Sequence, residues 1–156
     1  MSIADTKARD LLVMFLEETF EKHHGIYTDD DDNLFLTLSG ISAETASIPV
    51  GGRCSALSAQ VKHVSYYLQV QLGDLTGSPL KDIDWADVWE TTGPVNDDQW
   101  AAIVAELKAE YARVRGVVDE TSDWAAGDRF GEVMAIIVHT AYHLGEIRQA
   151  LCTLKG

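Results

Sequence analysis

Near the end of the chain the stretch HTAYHLGEIRQ, residues 139–149, sets His139 and His143 four positions apart. Four residues advance a helix by slightly more than one turn, so both imidazoles leave from one face. Such a pair can decorate a surface, stack and pack, or offer two nitrogens to a metal that needs a third. His63 is the candidate third: it sits mid-pattern in another helical stretch, sharing a face with Ala59, Tyr66, Tyr67 and Val70. A buried imidazole costs free energy unless its nitrogens are paired, so His63 needs a partner from another element. For an isolated H-x-x-x-H, core packing is the commoner arrangement. Thr140 stands where the H-E-x-x-H signature has its general base, which excludes a zincin protease on this motif.

Other residues with chemical potential have simpler readings. His23 and His24 are expected in the last turn of the first helix, where an imidazolium interacts favourably with the helix dipole. Glu21 and His24 make one E-x-x-H, but a di-iron bundle needs two, plus two more inward glutamates. TDDDDN, residues 28–33, lacks the alternating acids, Gly and distal Glu of an EF-hand and reads as a solvated loop. Glu146 follows His143 by three residues and shares its face; it is a candidate to orient a ligand or move a proton, or an ordinary helix carboxylate. Tyr66, Tyr67 and Tyr142 flank the histidines and suit either a pocket lining or packing. Arg148 reads as a surface ion pair before an anion site. Cys54 and Cys152 are far apart and form no CxxC, so they read as buried or idle thiols. There is no G-x-S-x-G, no Gly-rich phosphate loop and no Rossmann fingerprint. Function rests on the histidines.

Four stretches of helical period must position them. Residues 4–24 carry a stripe of Ala8, Leu11, Leu12, Phe15, Leu16, Thr19 and Phe20, closed by Gly25. Residues 56–75 repeat Leu57, Val61, Val64, Leu68 and Leu72, with Ser55 or a neighbour as N-cap. A third helix opens at Asn96 and Gln99, which have capping-box spacing, and continues through Trp100, Ile103, Val104, Leu107, Tyr111, Val114 and Val118. The fourth, residues 129–154, is apolar nearly all round from Val133 to Val138, as in a helix enclosed by others. No β-alternation competes.

The expectation is an all-α fold, one domain over residues 1–156, built as a four-helix bundle. Its connections, residues 25–55 and 75–96, are long enough for crossovers, so the second and third helices can run parallel. In the second connection Trp85 and Trp89, four apart in DIDWADVWE, suggest a short helix folded back over the bundle, as a lid or as a core patch.

The net charge of -13, with twelve Lys and Arg among 156 residues, excludes a concentrated basic surface and with it a nucleic-acid role. The charged start MSIADTKARD and the short apolar runs fit neither a signal peptide nor a membrane span, and the expectation is a cytoplasmic protein.

With these segments in view, the chain resembles the DinB/YfiT-like superfamily of metalloenzymes. LSGISAETASIPVGGRCSALSAQVKHV, residues 38–64, is similar to that family's linker and second helix, and HTAYHLGEIRQAL, residues 139–151, to its terminal H-x-x-x-H-x-G-[EQ]-I-R segment. The resemblance implies an up-down-down-up four-helix bundle, often a homodimer, with a divalent ion held by His63, His139 and His143. It also implies a small-molecule substrate, and for some members a low-molecular-weight thiol. Three neutral ligands leave zinc or nickel its full charge and an open position, the pattern of a catalytic site. Hydrolysis and thiol transfer both start from such ligands. The competing expectation is a non-enzymatic metal- or ligand-binding stress protein.

Overall fold

The computed structural model describes residues 3–29 and 32–154. Within them the chain is all-helical, with seven α-helices, one 3-10 turn and no strand. In chain order these are α1 (Ile3–Phe20), α2 (Leu34–Ser39), α3 (Ala43–Ala46), the 3-10 turn Val50–Gly52, α4 (Leu57–Leu75), α5 (Trp85–Thr91), α6 (Asp97–Glu120) and α7 (Arg129–Leu154). Asp30 and Asp31 of the acidic loop lie outside the described residues.

The four long helices pack in a ring: α4 lies against α6 and α7, and α1 against the same two. The periodic apolar residues explain why. Leu57, Val61, Val64, Leu68 and Leu72 of α4 are all buried, as are Trp100, Leu107, Tyr111, Val114 and Val118 of α6. Burying one such side chain contributes about 1.5–3 kcal/mol, several times any single helix propensity, so packing rather than intrinsic preference holds these helices.

Polar pairs fix how the helices face each other. Gln69 of α4 donates to Glu106 and Glu110 of α6 at 2.9 and 3.3 Å. Tyr111 of α6 donates to Glu21 at 2.6 Å, Arg115 reaches Glu17 at 3.0 Å, and the Trp124 amide donates to Asp5. Asn96 and Gln99 close a reciprocal capping box at the start of α6, as their spacing predicts.

Both long connections are tied down. The Trp100 indole donates to the Ile41 carbonyl at 2.8 Å, and the Ser47 hydroxyl accepts from the Val95 amide at 2.9 Å, so the two connections meet. At Gly73 a side chain would stand 2.9 Å from the Ser78 carbonyl oxygen, and the segment after α4 folds back in that space.

Several expectations need correction. The first helix ends at Phe20, not His24, because the buried Glu18 carboxylate gathers the chain that follows. It accepts the amides of His24, Ile26, Tyr27 and Thr28 and the Thr28 hydroxyl, and these bonds wrap residues 24–28 around it. His23 and His24 therefore lie beyond the helix, His24 paired with Glu17 at 2.6 Å, and Gly25 serves this loop with φ +74° rather than the helix end. Glu21 and His24 face different partners. Leu11 is 54% exposed: it stands about 100° round α1 from the buried Leu12. On α7, Val138 is 60% exposed, since neighbours cover only one side of that helix. The α4 N-cap, expected at Ser55 or a neighbour, is Ala56, without a side-chain bond. Both cysteines are exposed and free.

No helix among the described residues is long and apolar enough to cross a membrane.

Candidate metal centre

His63 lies seven residues into α4, and His139 and His143 lie near the middle of α7, where these two helices pack together. The fold brings the three sequence candidates to one place: one ring nitrogen from each falls within 4.8 Å of the others. His63 and His143 are buried and His139 half-buried. His63 Nε2 and His139 Nε2 stand 3.2 Å apart. Two nitrogens bound tetrahedrally to one zinc at about 2.0–2.1 Å lie roughly 3.3–3.4 Å apart, so this pair already has the spacing of one coordination edge.

The surrounding side chains orient the rings. Tyr67, one turn after His63 on α4, stacks on His139 with centroids 3.7 Å apart and planes within 11°. Trp89 lies 4.6 Å from the His63 ring and Trp85 meets it edge-on at 5.6 Å. The short helix expected in the second connection thus exists as α5 and covers His63, capped by Asp84, whose own amide donates to the Tyr66 hydroxyl. Tyr142 is 62% exposed and turns its ring edge to His143.

Burial lowers all three histidine pKa values. For His63 the loss of solvation, with the neighbouring His143, brings it to about 4. His139 also falls to about 4, through burial and its two neighbours, and His143 is lowered by burial against the pull of Glu146. At neutral pH the imidazoles are uncharged and keep a lone pair, the form a metal requires.

Glu146 Oε2 lies 2.9 Å from His143 Nδ1, an ion-pair separation too far out of line for a hydrogen bond. The Nδ1 atoms of His63, His139 and His143 are all buried without a hydrogen-bond partner. An ion on the Nε2 edge of His63 and His139 would leave these Nδ1 atoms as they are, so the fit rests on the spacing and neutrality of the rings. Donor type, neutral charge and spacing fit a divalent ion of the zinc or nickel kind, held by these three histidines, with Glu146 beside the third.

The remaining candidates separate from this centre. Arg148 pairs with Asp32, as its surface position suggested. His24, Glu17, Glu21, Tyr111 and Arg115 form a second polar network between α1 and α6. Sequence reasoning missed Glu18 and that network; the available signal was a carboxylate inside the run FLEETF, where the packing face leaves no water.

Compared with protein-family models, curated proteins and solved structures, the chain matches none.

Proposed function

We propose that this protein is a metal-dependent enzyme of the DinB/YfiT-like kind, in which His63, His139 and His143 hold zinc or nickel and a small molecule reacts beside them. The observation that carries the reading is the convergence of three neutral imidazoles from helices far apart in sequence. The up-down-down-up order belongs to the same reading. It is supported by Lys62 sharing one wall with Gln99 while Gln69 meets Glu106 and Glu110, which suits α4 parallel to α6, and by Asp5 meeting Trp124 while Glu21 meets Tyr111, which suits α1 antiparallel to it.

When bound, the ion would supply Lewis acidity, lowering the pKa of a coordinated water or thiol, which suits hydrolysis or thiol-dependent S-transfer. The protein's own residues do the rest. Tyr67 fixes the His139 ring by stacking, Trp85 and Trp89 keep water from His63, and Glu146 orients His143 and is placed to accept or return a proton at its carboxylate.

The same covering of His63 by Trp89 favours a second reading, a non-enzymatic metal- or ligand-binding protein. The proposal also includes a cytoplasmic homodimer; exposed Leu11 and Met14 on α1 and Val138 and Tyr142 on the adjoining α7 support a contact with a second copy.

The test is elemental mass spectrometry on protein purified without a histidine tag, beside His63→Ala and His143→Ala. About one zinc or nickel per chain, lost in both variants, supports the site. A protein that takes up neither ion returns the three histidines to core packing. With metal bound, turnover of thiol-conjugation or ester and amide substrates separates the enzyme from the binding protein, and light scattering tests the dimer.

A further inference from the structure

Residues 79–94, which carry α5, are tied to the bundle at their two ends and hardly at all between them. The Ser78 amide donates to the Gly73 carbonyl at 2.8 Å, and the Val95 amide to the Ser47 hydroxyl at 2.9 Å. Among the described residues one hydrogen bond leaves the segment between these ties, from the Asp84 amide to the Tyr66 hydroxyl at 3.3 Å. Its other bonds are internal and travel with it. Asp84 caps the Ala86 and Asp87 amides, and the Thr91 and Thr92 hydroxyls donate to the Asp87 and Val88 carbonyls. Both ends can turn. Asp82 stands in the left-handed region at φ +56°, which costs a residue with a Cβ free energy that extended backbone releases. At Gly93 a Cβ would meet nothing within 4 Å, and glycine has the widest choice of backbone angles.

The triad, for its part, needs an entrance. Cavities of 510 and 380 Å³ reach Glu146 and Val88, and no triad histidine lines either. Trp85 and Trp89 close over His63. Parting α4 from α7 would open the core that holds both, whereas no residue of α5 belongs to that core. α5 packs on α4, and the 380 Å³ cavity leaves room between it and Glu106 of α6. Lifting it uncovers His63 for the loss of one hydrogen bond, the buried Val88 and two ring contacts, one of them from a Trp85 already 37% exposed. We propose that residues 79–94 form a hinged cover over the triad: α5 swings about Asp82 and Gly93, lifts Trp85 and Trp89 off His63, and is latched shut by the Asp84 amide on the Tyr66 hydroxyl. That the opening admits an ion or a substrate rests on the metal reading above; the hinge rests on packing alone.

The test treats the full metal-free chain at pH 7 with diethyl pyrocarbonate, which acylates neutral imidazole, and reads the rate at each histidine by peptide mass spectrometry. The exposed His23 is the internal reference. Tyr66→Phe removes the latch but keeps a ring against Trp85, so the His63 rate should rise about fivefold, as loss of one neutral hydrogen bond does, with His23 unchanged. In hydrogen exchange the Val88 and Trp89 amides should gain the same factor while those of Val64 and Leu68 stay protected. Tyr142→Ala, beside His143, should leave the His63 rate as it was. A His63 rate that ignores Tyr66→Phe or rises with Tyr142→Ala overturns the proposal, as does exchange of the α5 amides only together with those of α4. Zinc content of the same samples separates the two ideas. A chain that opens in this way and takes up no zinc overturns the metal reading alone, whereas a chain that binds zinc and whose metal-free His63 rate ignores Tyr66→Phe overturns the cover alone.

Discussion

Glu18→Gln tests the principal fold correction. The Glu18 side chain is fully buried and accepts four backbone amides, those of His24, Ile26, Tyr27 and Thr28, with the Thr28 hydroxyl at 2.8 Å. Glutamine has the same shape but replaces one acceptor oxygen by a donor and removes the charge. Each bond to a charged group contributes about 1.5–3 kcal/mol, yet residues 25–27 are exposed and their amides can return to water, so the losses do not add in full. The expected cost is about 2–3 kcal/mol in urea unfolding at pH 7, and somewhat more for Glu18→Ala. Acid supplies a second reading of the same bonds. Burial alone would raise the Glu18 pKa, but the amides of Thr28, Tyr27 and His24 and the Thr28 hydroxyl outweigh it and hold it down at about 2 against an ordinary 4.5. A depressed folded pKa means stability fully present above about 4.5 and lost as pH falls towards 2. The gap between parent and Glu18→Gln should therefore hold from pH 7 to 5 and narrow below 4.5. A glutamine variant within about 0.5 kcal/mol of the parent at pH 7, smaller than one typical hydrogen bond, or a gap independent of pH, would refute the account.

Three further outcomes follow from the same geometry. Asn96→Ala removes the side-chain half of the α6 capping box and should cost about 1 kcal/mol, read by urea unfolding, with helix content at neutral pH unchanged. Nickel or cobalt at the triad should quench tryptophan fluorescence through Trp89 and Trp85, 4.6 and 5.6 Å from the His63 ring, and the double substitution Trp85→Phe with Trp89→Phe should remove most of that response; quenching that survives both would place the ion elsewhere. In the metal-free protein the lowered pKa values of His63 and His139, about 4 against 6.5, mean that the unfolded chain takes up protons first. Stability should therefore fall as pH drops from about 6.5 to 4, and a thermal-melt series in which His63→Ala and His139→Ala keep the same slope would count against their burial as neutral rings.

What was legible in the sequence was whatever depends on local period and caps. The α6 cap could be read from Asn96 and Gln99, and the bounds of α7 from its apolar run, because each involves residues within a turn of one another. The three histidines could be read as a candidate set because two share one face and the third lacks any local partner. The end of α1 could not, since it is set by a carboxylate accepting amides six to ten residues ahead, a bond that no periodicity encodes. The exposure of Leu11 and Val138 was equally hidden: amphipathicity says that a residue is apolar, while the placement of neighbouring helices decides whether it is covered.

His63 and His139 meet across 76 positions of chain, so they come together only when α4 and α7 have already docked. A clasp on those rings cannot hasten the early, local steps by which the helices form. It instead acts on the return journey, since undocking α4 from α7 would first require its release. Metal at this point would act as a brake on unfolding, lengthening the lifetime of the native state while leaving the rate of folding nearly untouched.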